Sequence, residues 1–212
     1  MKITKLGHCC LVIVENGVRI LTDPGAWTTA QNEVTDIDLV LITHEHPDHL
    51  HLESLKAVLK NNPQVRVITN SAVGKILSEN AISFDLVEDG QEIAVSGLVI
   101  RGFGKIHAEI YGELNRVQNT GYFVGSRFFY PGDALTNPQK PVEILALPVA
   151  GPWIKTKEVI DYAKTLSPKI CFPVHDGMLK IPMPYHRMPE IILTPLGINF
   201  QVLSEGTEVD FK

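Results

Sequence analysis

The sequence predicts a single domain, residues 1–212, that combines β-strands with α-helices, and three observations favour this class. Residues 39–43 (Leu-Val-Leu-Ile-Thr) are a short apolar run, which is typical of a buried strand. Residues 50–59 then carry apolar side chains mostly at helical spacing and stop at Asn-Asn-Pro. A chain of 212 residues with 44% hydrophobic and 20% charged residues indicates one globular domain with a sizeable core.

A β-hairpin is predicted near the start of the chain. Residues 11–14 and 18–21 are apolar, and Asn16-Gly17 between them readily adopts the positive φ angles of a tight turn. His8 precedes the hairpin, and two interpretations stay open: a strand-end histidine bonded to backbone, or a residue beside a metal or substrate. Asp23 follows the hairpin. It is expected to form a turn before Pro24, with orientation of a metal-binding histidine as the alternative.

The central strand runs directly into His44-Glu45-His46-Pro47-Asp48-His49, which places three histidines and one aspartate within six positions. His44 and His46 are two residues apart, so a helix would separate them, whereas an extended segment or turn can aim both at one point. Asp48 and His49 can reach a second point nearby. Pro47 is expected in the first turn of the following helix. The stretch therefore suits a pair of ions, and a polar surface turn is the alternative.

Later segments repeat the pattern of a strand followed by a candidate ligand. Strands are predicted at residues 65–69, 84–87, 92–95, 98–103, 122–124, 128–130, 142–147 and 169–174, with helices near 71–77 and 157–166. His107, Asp133 and His175 each follow one of these strands. Trp153 lies in a proline-rich loop, where it either walls an apolar pocket or covers the core. Residues 198–203 and 207–211 are expected to form a last strand pair.

The spacing His-x-His-x-Asp-His at residues 44–49 resembles the metallo-β-lactamase superfamily, a group of metal-dependent hydrolases. Gly7-His8 and Thr22-Asp23-Pro24-Gly25 resemble the branch that includes ascorbate-6-phosphate lactonase. The resemblance implies an α+β fold, a four-layer αββα sandwich with two mixed β-sheets flanked by helices. It also implies two sets of ligands and one bridging residue: His44, His46 and His107 for the first metal, Asp48, His49 and His175 for the second, and Asp133 between them.

The expected function follows from that resemblance. Two divalent ions, zinc or manganese with iron as a further candidate, would activate a hydroxide against a small-molecule ester, lactone or phosphoester. Asp48 is the candidate catalytic residue because its carboxylate can orient that hydroxide. Trp153 and His8 are candidate substrate contacts. A nuclease or phosphodiesterase of the same superfamily, and a metal-binding protein without turnover, are the alternatives.

Composition gives expectations about partners and location. A formal net charge of −5 offers no general basic surface, so nucleic acid is not an expected partner. The chain has no apolar run long enough for a membrane span, and its three cysteines favour reduced thiols and a cytoplasmic location. A homo-oligomer is left open. Glu109 is expected to be a solvated charge, and His186 a surface or helix-start residue.

Overall fold

The computed structural model describes residues 1–114 and 116–212, and its framework is two seven-stranded sheets. The first sheet is built from the strands β1 (Lys2–Gly7), β2 (Cys10–Glu15), β3 (Val18–Thr22), β4 (Leu39–Leu41), β5 (Arg66–Thr69) and β6 (Asp85–Leu86). These strands follow one another in sequence order across the sheet, and β14 (Glu208–Asp210) pairs with the outer side of β1. Pairing is antiparallel from β14 to β3 and parallel from β3 to β6.

The second sheet has the same plan. Its strands are β7 (Glu92–Val95), β8 (Leu98–Phe103), β9 (Gly121–Val124), β10 (Phe128–Tyr130), β11 (Ile144–Pro148), β12 (Ile170–Val174) and β13 (Asn199–Phe200). The first four pair antiparallel, and β10 to β13 pair parallel. Both sheets are therefore mixed, as expected.

Four helices cover the outer faces: α1 (Leu52–Asn61), α2 (Ser71–Glu79), α3 (Thr156–Leu166) and α4 (Met183–Leu193). The alternation of side chains along the strands separates the interior into layers. Leu39 and Leu41 of β4 join the cluster between the sheets, whereas Val40 points into the cluster shared with α1 and α2. A third cluster lies between the second sheet and α3 and α4. The αββα sandwich is confirmed.

The early hairpin is also as predicted. Asn16 and Gly17 have φ angles of 51° and 78°, which the turn between β2 and β3 requires. Asn70 caps α2, since its side chain accepts a hydrogen bond from the amide of Val73. Cys9, Cys10 and Cys171 are free and buried.

Two expectations about the helices and the tail are wrong. Pro47 does not lie in the first turn of α1, because the chain makes a separate turn at residues 46–50 and the helix begins at Leu52, with the side chain of His51 as its cap. The last two strands do not pair with each other: β13 extends the second sheet and β14 the first. The segment before them is the helix α4, although it contains Pro189.

Across the described residues, no helix is long and apolar enough to cross a bilayer.

A matched pair of isoleucine substitutions tests the central core. Ile13 of β2 is fully buried between the sheets, whereas Ile191 of α4 is 49% exposed. Ile13→Ala is expected to lower the free energy of unfolding by about 2–5 kcal/mol, because it leaves a cavity. Ile191→Ala is expected to change it by no more than about 0.5 kcal/mol. Urea denaturation of both variants measures this, and equal losses would contradict the layer assignment.

Candidate metal centre

The seven predicted ligands come together at one edge of the sandwich, where strands of both sheets end. The first sheet delivers His44, His46, Asp48 and His49 after β4, and the second delivers His107 after β8, Asp133 after β10 and His175 after β12. The ligand atoms of His44, His46 and His107 form one group in which all lie within 4.8 Å of one another. Those of Asp48, His49, Asp133 and His175 form a second such group.

Asp133 lies between the two groups. Its Oδ2 is 3.3 Å from Nε2 of His107 and 3.9 Å from Nε2 of His44, in the first group. The same carboxylate is 3.2 Å from Nε2 of His49 and 2.8 Å from Nε2 of His175, in the second. This is the position that the bridging role requires, while metal binding by these seven residues stays a prediction.

Hydrogen bonds fix which nitrogen of three imidazoles carries the proton. Nδ1 of His107 donates to the carbonyl of Ala108 at 2.6 Å, and Nδ1 of His49 donates to Oδ2 of Asp23 at 2.7 Å. Nδ1 of His44 lies 3.0 Å from Oγ1 of Thr43, whose own proton goes to Asp23. Nδ1 of His44 must therefore be the donor. When these three rings are neutral, Nε2 of each is left with a lone pair directed at the centre.

Those lone pairs provide the test of whether cations fit. Nε2 of His49, His107 and His175 and Oδ1 of Asp133 are buried without a hydrogen-bond partner in the described part of the chain. A lone pair 3.2 Å from a carboxylate oxygen is repulsive unless positive charge lies between them. The 3.1 Å from Nε2 of His44 to Nδ1 of His46 is also close to the separation of about 3.3 Å expected for two nitrogens on one tetrahedral zinc ion. The donor set fits divalent cations.

The pKa values point the same way. Burial disfavours the charged form of His175, but the carboxylates of Asp133 and Asp48 outweigh it and raise its pKa to about 9. Burial likewise opposes charge on His49, and Asp133 and Asp23 raise its pKa well above the usual range. The second group thus stabilises positive charge. Burial lowers the pKa of His44 and, with the neighbouring His107, that of His46, which keeps both rings neutral as ligands must be.

Asp23 is more than the turn residue it was expected to be. Its buried carboxylate accepts hydrogen bonds from the amide and hydroxyl of Thr43, from Nδ1 of His49 and from the hydroxyl of Tyr130. It therefore orients one ligand directly and, through Thr43, a second. The alternative interpretation, a partner of a metal-binding histidine, matches this arrangement.

The turn after Asp23 packs against the loop that carries Asp48 and His49. An ideal Cβ on Gly25 would lie 1.7 Å from the carbonyl oxygen of Asp48, so only glycine fits. The amide of Ala26 donates to the carbonyl of Pro47 at 2.8 Å, and the amide of His51 donates to the carbonyl of Pro24 at 3.1 Å. These contacts fix the backbone on both sides of Asp48 and His49.

His8 lies beside Asp48, and with Cys9, His49 and His175 it forms a further group of ligand atoms that lie within 4.8 Å of one another. Its Nδ1 accepts a hydrogen bond from the amide of Gly177 at 3.2 Å, so its proton is on Nε2, which donates to Oδ2 of Asp48 at 3.2 Å. Burial lowers the pKa of His8 to about 4, so the ring is neutral at pH 7. His8 therefore makes the backbone contact and lies beside a predicted ligand, while its contact with metal or substrate stays a prediction.

A cleft of about 240 Å³ opens over the two groups. Trp153 lines it, as the pocket interpretation predicted, with its ring centroid 5.6 Å from those of His107 and His175. Trp27 lines the other side, and the sequence reasoning missed it. The available signal was a single tryptophan between the Pro24-Gly25 turn and a polar loop.

Two further residues considered in the sequence lie outside the two ligand groups. Glu109 accepts a hydrogen bond from the amide of Gly112, and His186 lies in the first turn of α4, where it is hydrogen-bonded to Asp176.

Comparison with known proteins identifies the family. The family model for the "Beta-lactamase superfamily domain" matches residues 2–175. A protein of Mycobacterium tuberculosis is 33% identical over 219 residues, covering all of both chains. Assignment to the narrower lactonase-containing branch stays a prediction.

Solved structures share the fold. One from Parabacteroides distasonis has a TM-score of 0.80 at 24% identity, with 96% of this chain and 92% of that chain covered. A metallo hydrolase from Ignicoccus hospitalis has a TM-score of 0.77 at 18% identity, with 100% and 99% covered. At these identities the likeness establishes the αββα architecture.

Replacement of Asp23 is expected to weaken the second group without removing a ligand. Asp23→Asn replaces one acceptor oxygen by an amide that cannot accept the bonds from His49, Thr43 and Tyr130 together, and metal affinity should fall by about 10–100-fold. Asp38→Asn is the matched control, since Asp38 accepts a backbone bond from Arg19 far from the centre. Zinc titration by calorimetry measures both, and equal affinities would refute the orienting role.

Metal affinity should also rise with pH. With a pKa of about 9, His175 carries a proton at neutral pH in the metal-free chain, and an ion must displace it. Below that pKa, each unit of pH should raise the apparent affinity of the second group by about tenfold per proton released. Calorimetric titrations with Mn²⁺ at pH 6.5, 7.5 and 8.5 in buffers of different ionisation enthalpy count those protons. A pH-independent affinity with no proton release would count against this arrangement.

Proposed function

This chain belongs to the metallo-β-lactamase superfamily of metal-dependent hydrolases, and we propose that it uses two divalent cations to hydrolyse a small-molecule ester, lactone or phosphoester. The observation that carries the proposal is the pair of ligand groups on either side of Asp133. In a histidine cluster with a purely structural role, the buried imidazole nitrogens would be expected to have hydrogen-bond partners and not to converge on one carboxylate.

The side chains divide into two holding groups and one shared residue. His44, His46 and His107 offer three neutral nitrogens, which suits zinc and also manganese or iron. Asp48, His49 and His175 offer two nitrogens and a carboxylate, and Asp133 contributes to both sides. When bound, two such ions supply a water of lowered pKa and a Lewis acid for the substrate oxygen.

Asp48 is the residue best placed to handle a proton beside the ions. Its side chain is on the cleft wall, and its contacts with His8, His49 and His175 all fall on Oδ2. Oδ1 is then the oxygen that can face a reacting water. Burial raises the pKa of Asp48, but the hydrogen bonds from His175 and His8 outweigh it and lower the pKa far below the usual range. The side chain is therefore an ionised carboxylate, which can accept a hydrogen bond from a water.

His8 positions the side chain of Asp48 in the proposed mechanism. Its ring is held by the amide of Gly177, immediately beyond the His175-Asp176 pair, and donates to Asp48. The carboxylate of Asp48 is therefore held from a backbone segment that also carries a ligand. These contacts leave Oδ1 of Asp48 available to a reacting water.

Removal and replacement of metal test the proposal. Dialysis against a chelator should reduce hydrolysis of a panel of esters, lactones and phosphoesters to background, and added Zn²⁺ or Mn²⁺ should restore it, because activation of water depends on the ions. Elemental analysis should find two ions per chain in the untreated protein. Asp133→Asn should deplete both ions, and His175→Ala mainly the second.

Glu109→Gln is the control for that analysis, because this carboxylate lies near the cleft but contacts neither group. It should keep both ions and full activity. Turnover that survives thorough metal removal, or an Asp133→Asn variant that retains both ions, would overturn the proposal.

A further inference from the structure

The cleft over the metal centre is bounded by the chain's only two tryptophans. The ring centroid of Trp27 is 4.5 Å from that of His8 and 6.3 Å from that of His175. Trp153 contacts His175 from another side and is nearly buried, with 8% exposure, whereas Trp27 is 47% exposed at the rim. The two indoles therefore lie on either side of the position where a reacting group would meet the ions.

The rest of the lining divides into two chemical kinds. Pro47, Ile110, Pro152 and Met178 add further apolar surface. The remaining lining residues are predicted metal ligands: His46, Asp48, His107, Asp133 and His175. Of the described residues that line the cleft, none is lysine or arginine. The ionisable side chains in the wall are thus all predicted metal ligands.

This lining matters for the charge of the substrate. Sites for phosphate groups usually add arginine, lysine or clustered backbone amides to any metal ions, because several anionic oxygens need donors. The hollow behind Trp153 does hold Lys155, but Glu109 and Glu158 line it too, and Glu158 bonds to the amide of Lys155. That hollow offers no net positive charge to a second anionic group.

We propose that the substrate is a small, uncharged carbonyl ester or lactone whose non-reacting part is apolar and lies between Trp27 and Trp153. This substrate class narrows the proposed function. That the substrate is hydrolysed rests on the proposed function, whereas its binding between the two tryptophans does not. A phosphomonoester would leave its remaining charge against apolar walls. The indoles supply area for an alkyl or aromatic group, and each methylene buried there contributes up to about 0.8 kcal/mol.

Binding can be measured without turnover, since both tryptophans of the chain are in the cleft walls. The zinc-loaded protein is titrated with acetamide, butanamide and hexanamide, and separately with methyl, butyl and hexyl phosphate, while tryptophan fluorescence is followed. The amide dissociation constant should fall by about 2- to 4-fold for each added methylene. Chain-length-independent binding of the amides, or phosphates that bind more tightly at every length, would overturn the proposal.

Two variants assign the effect to the wall. Trp27→Ala should flatten the chain-length dependence, with Trp153 as the remaining reporter, whereas Trp27→Phe should retain most of it. Leu196→Ala replaces an exposed apolar residue outside the cleft and should change nothing. An unchanged slope in Trp27→Ala, with native circular dichroism, would also overturn the proposal.

A kinetic arm separates this inference from the proposed function. For p-nitrophenyl acetate, butyrate and hexanoate, kcat/KM should rise with chain length and exceed that for p-nitrophenyl phosphate. If none of these compounds, and no lactone of the panel used for metal removal, is hydrolysed while the binding slope is present, the proposed function fails and the apolar site stands. If hydrolysis depends on metal but phosphates are preferred, the substrate class is wrong and the hydrolase stands.

Discussion

The structure depends on one electrostatic constraint: the buried carboxylate of Asp133 faces imidazole nitrogens, and a proton or a cation must lie between them and the carboxylate. The protons of His49 and His107 are engaged on their far sides by Asp23 and by a backbone carbonyl. Such an assembly is stable only with positive charge at its centre. The turn at Gly25, the strand ends and the buried hydrogen bonds all serve to hold these groups in place.

Much of the fold and the site could be predicted from local sequence. The Asn16-Gly17 turn, the apolar runs of the central strands and the His-x-His-x-Asp-His spacing each carry their own physical signal, and the structure places them accordingly. His107, Asp133 and His175 were assigned from the family resemblance, and their positions after strand ends agree with it, because strands that run in the same direction present their carboxyl ends at one edge. The four-layer arrangement itself came from the family resemblance.

Other features depend on partners distant in sequence. Residues 198–203 and 207–211 look alike as short strands, but each adds to a different sheet, which only the assembled core decides. The prolines in α4 argued against a helix there. Pro184 is tolerated because it occupies the first turn, where no amide hydrogen is needed, and packing against α3 outweighs the cost of Pro189. Trp27 gave no periodic signal, because it belongs to a loop whose place is set by Gly25 against Asp48.

The division of ligands between the sheets has a consequence for how the molecule holds together. His44 and His46 come from the first half of the chain and His107 from the second, and Asp48 and His49 are likewise joined by Asp133 and His175. Each bound ion would act as a cross-link between two halves that otherwise meet through the apolar core between the sheets and through buried hydrogen bonds such as that from Tyr130 to Asp23. Neither site can be completed before the halves have docked, so the ions would stabilise the last step of assembly and slow its reversal.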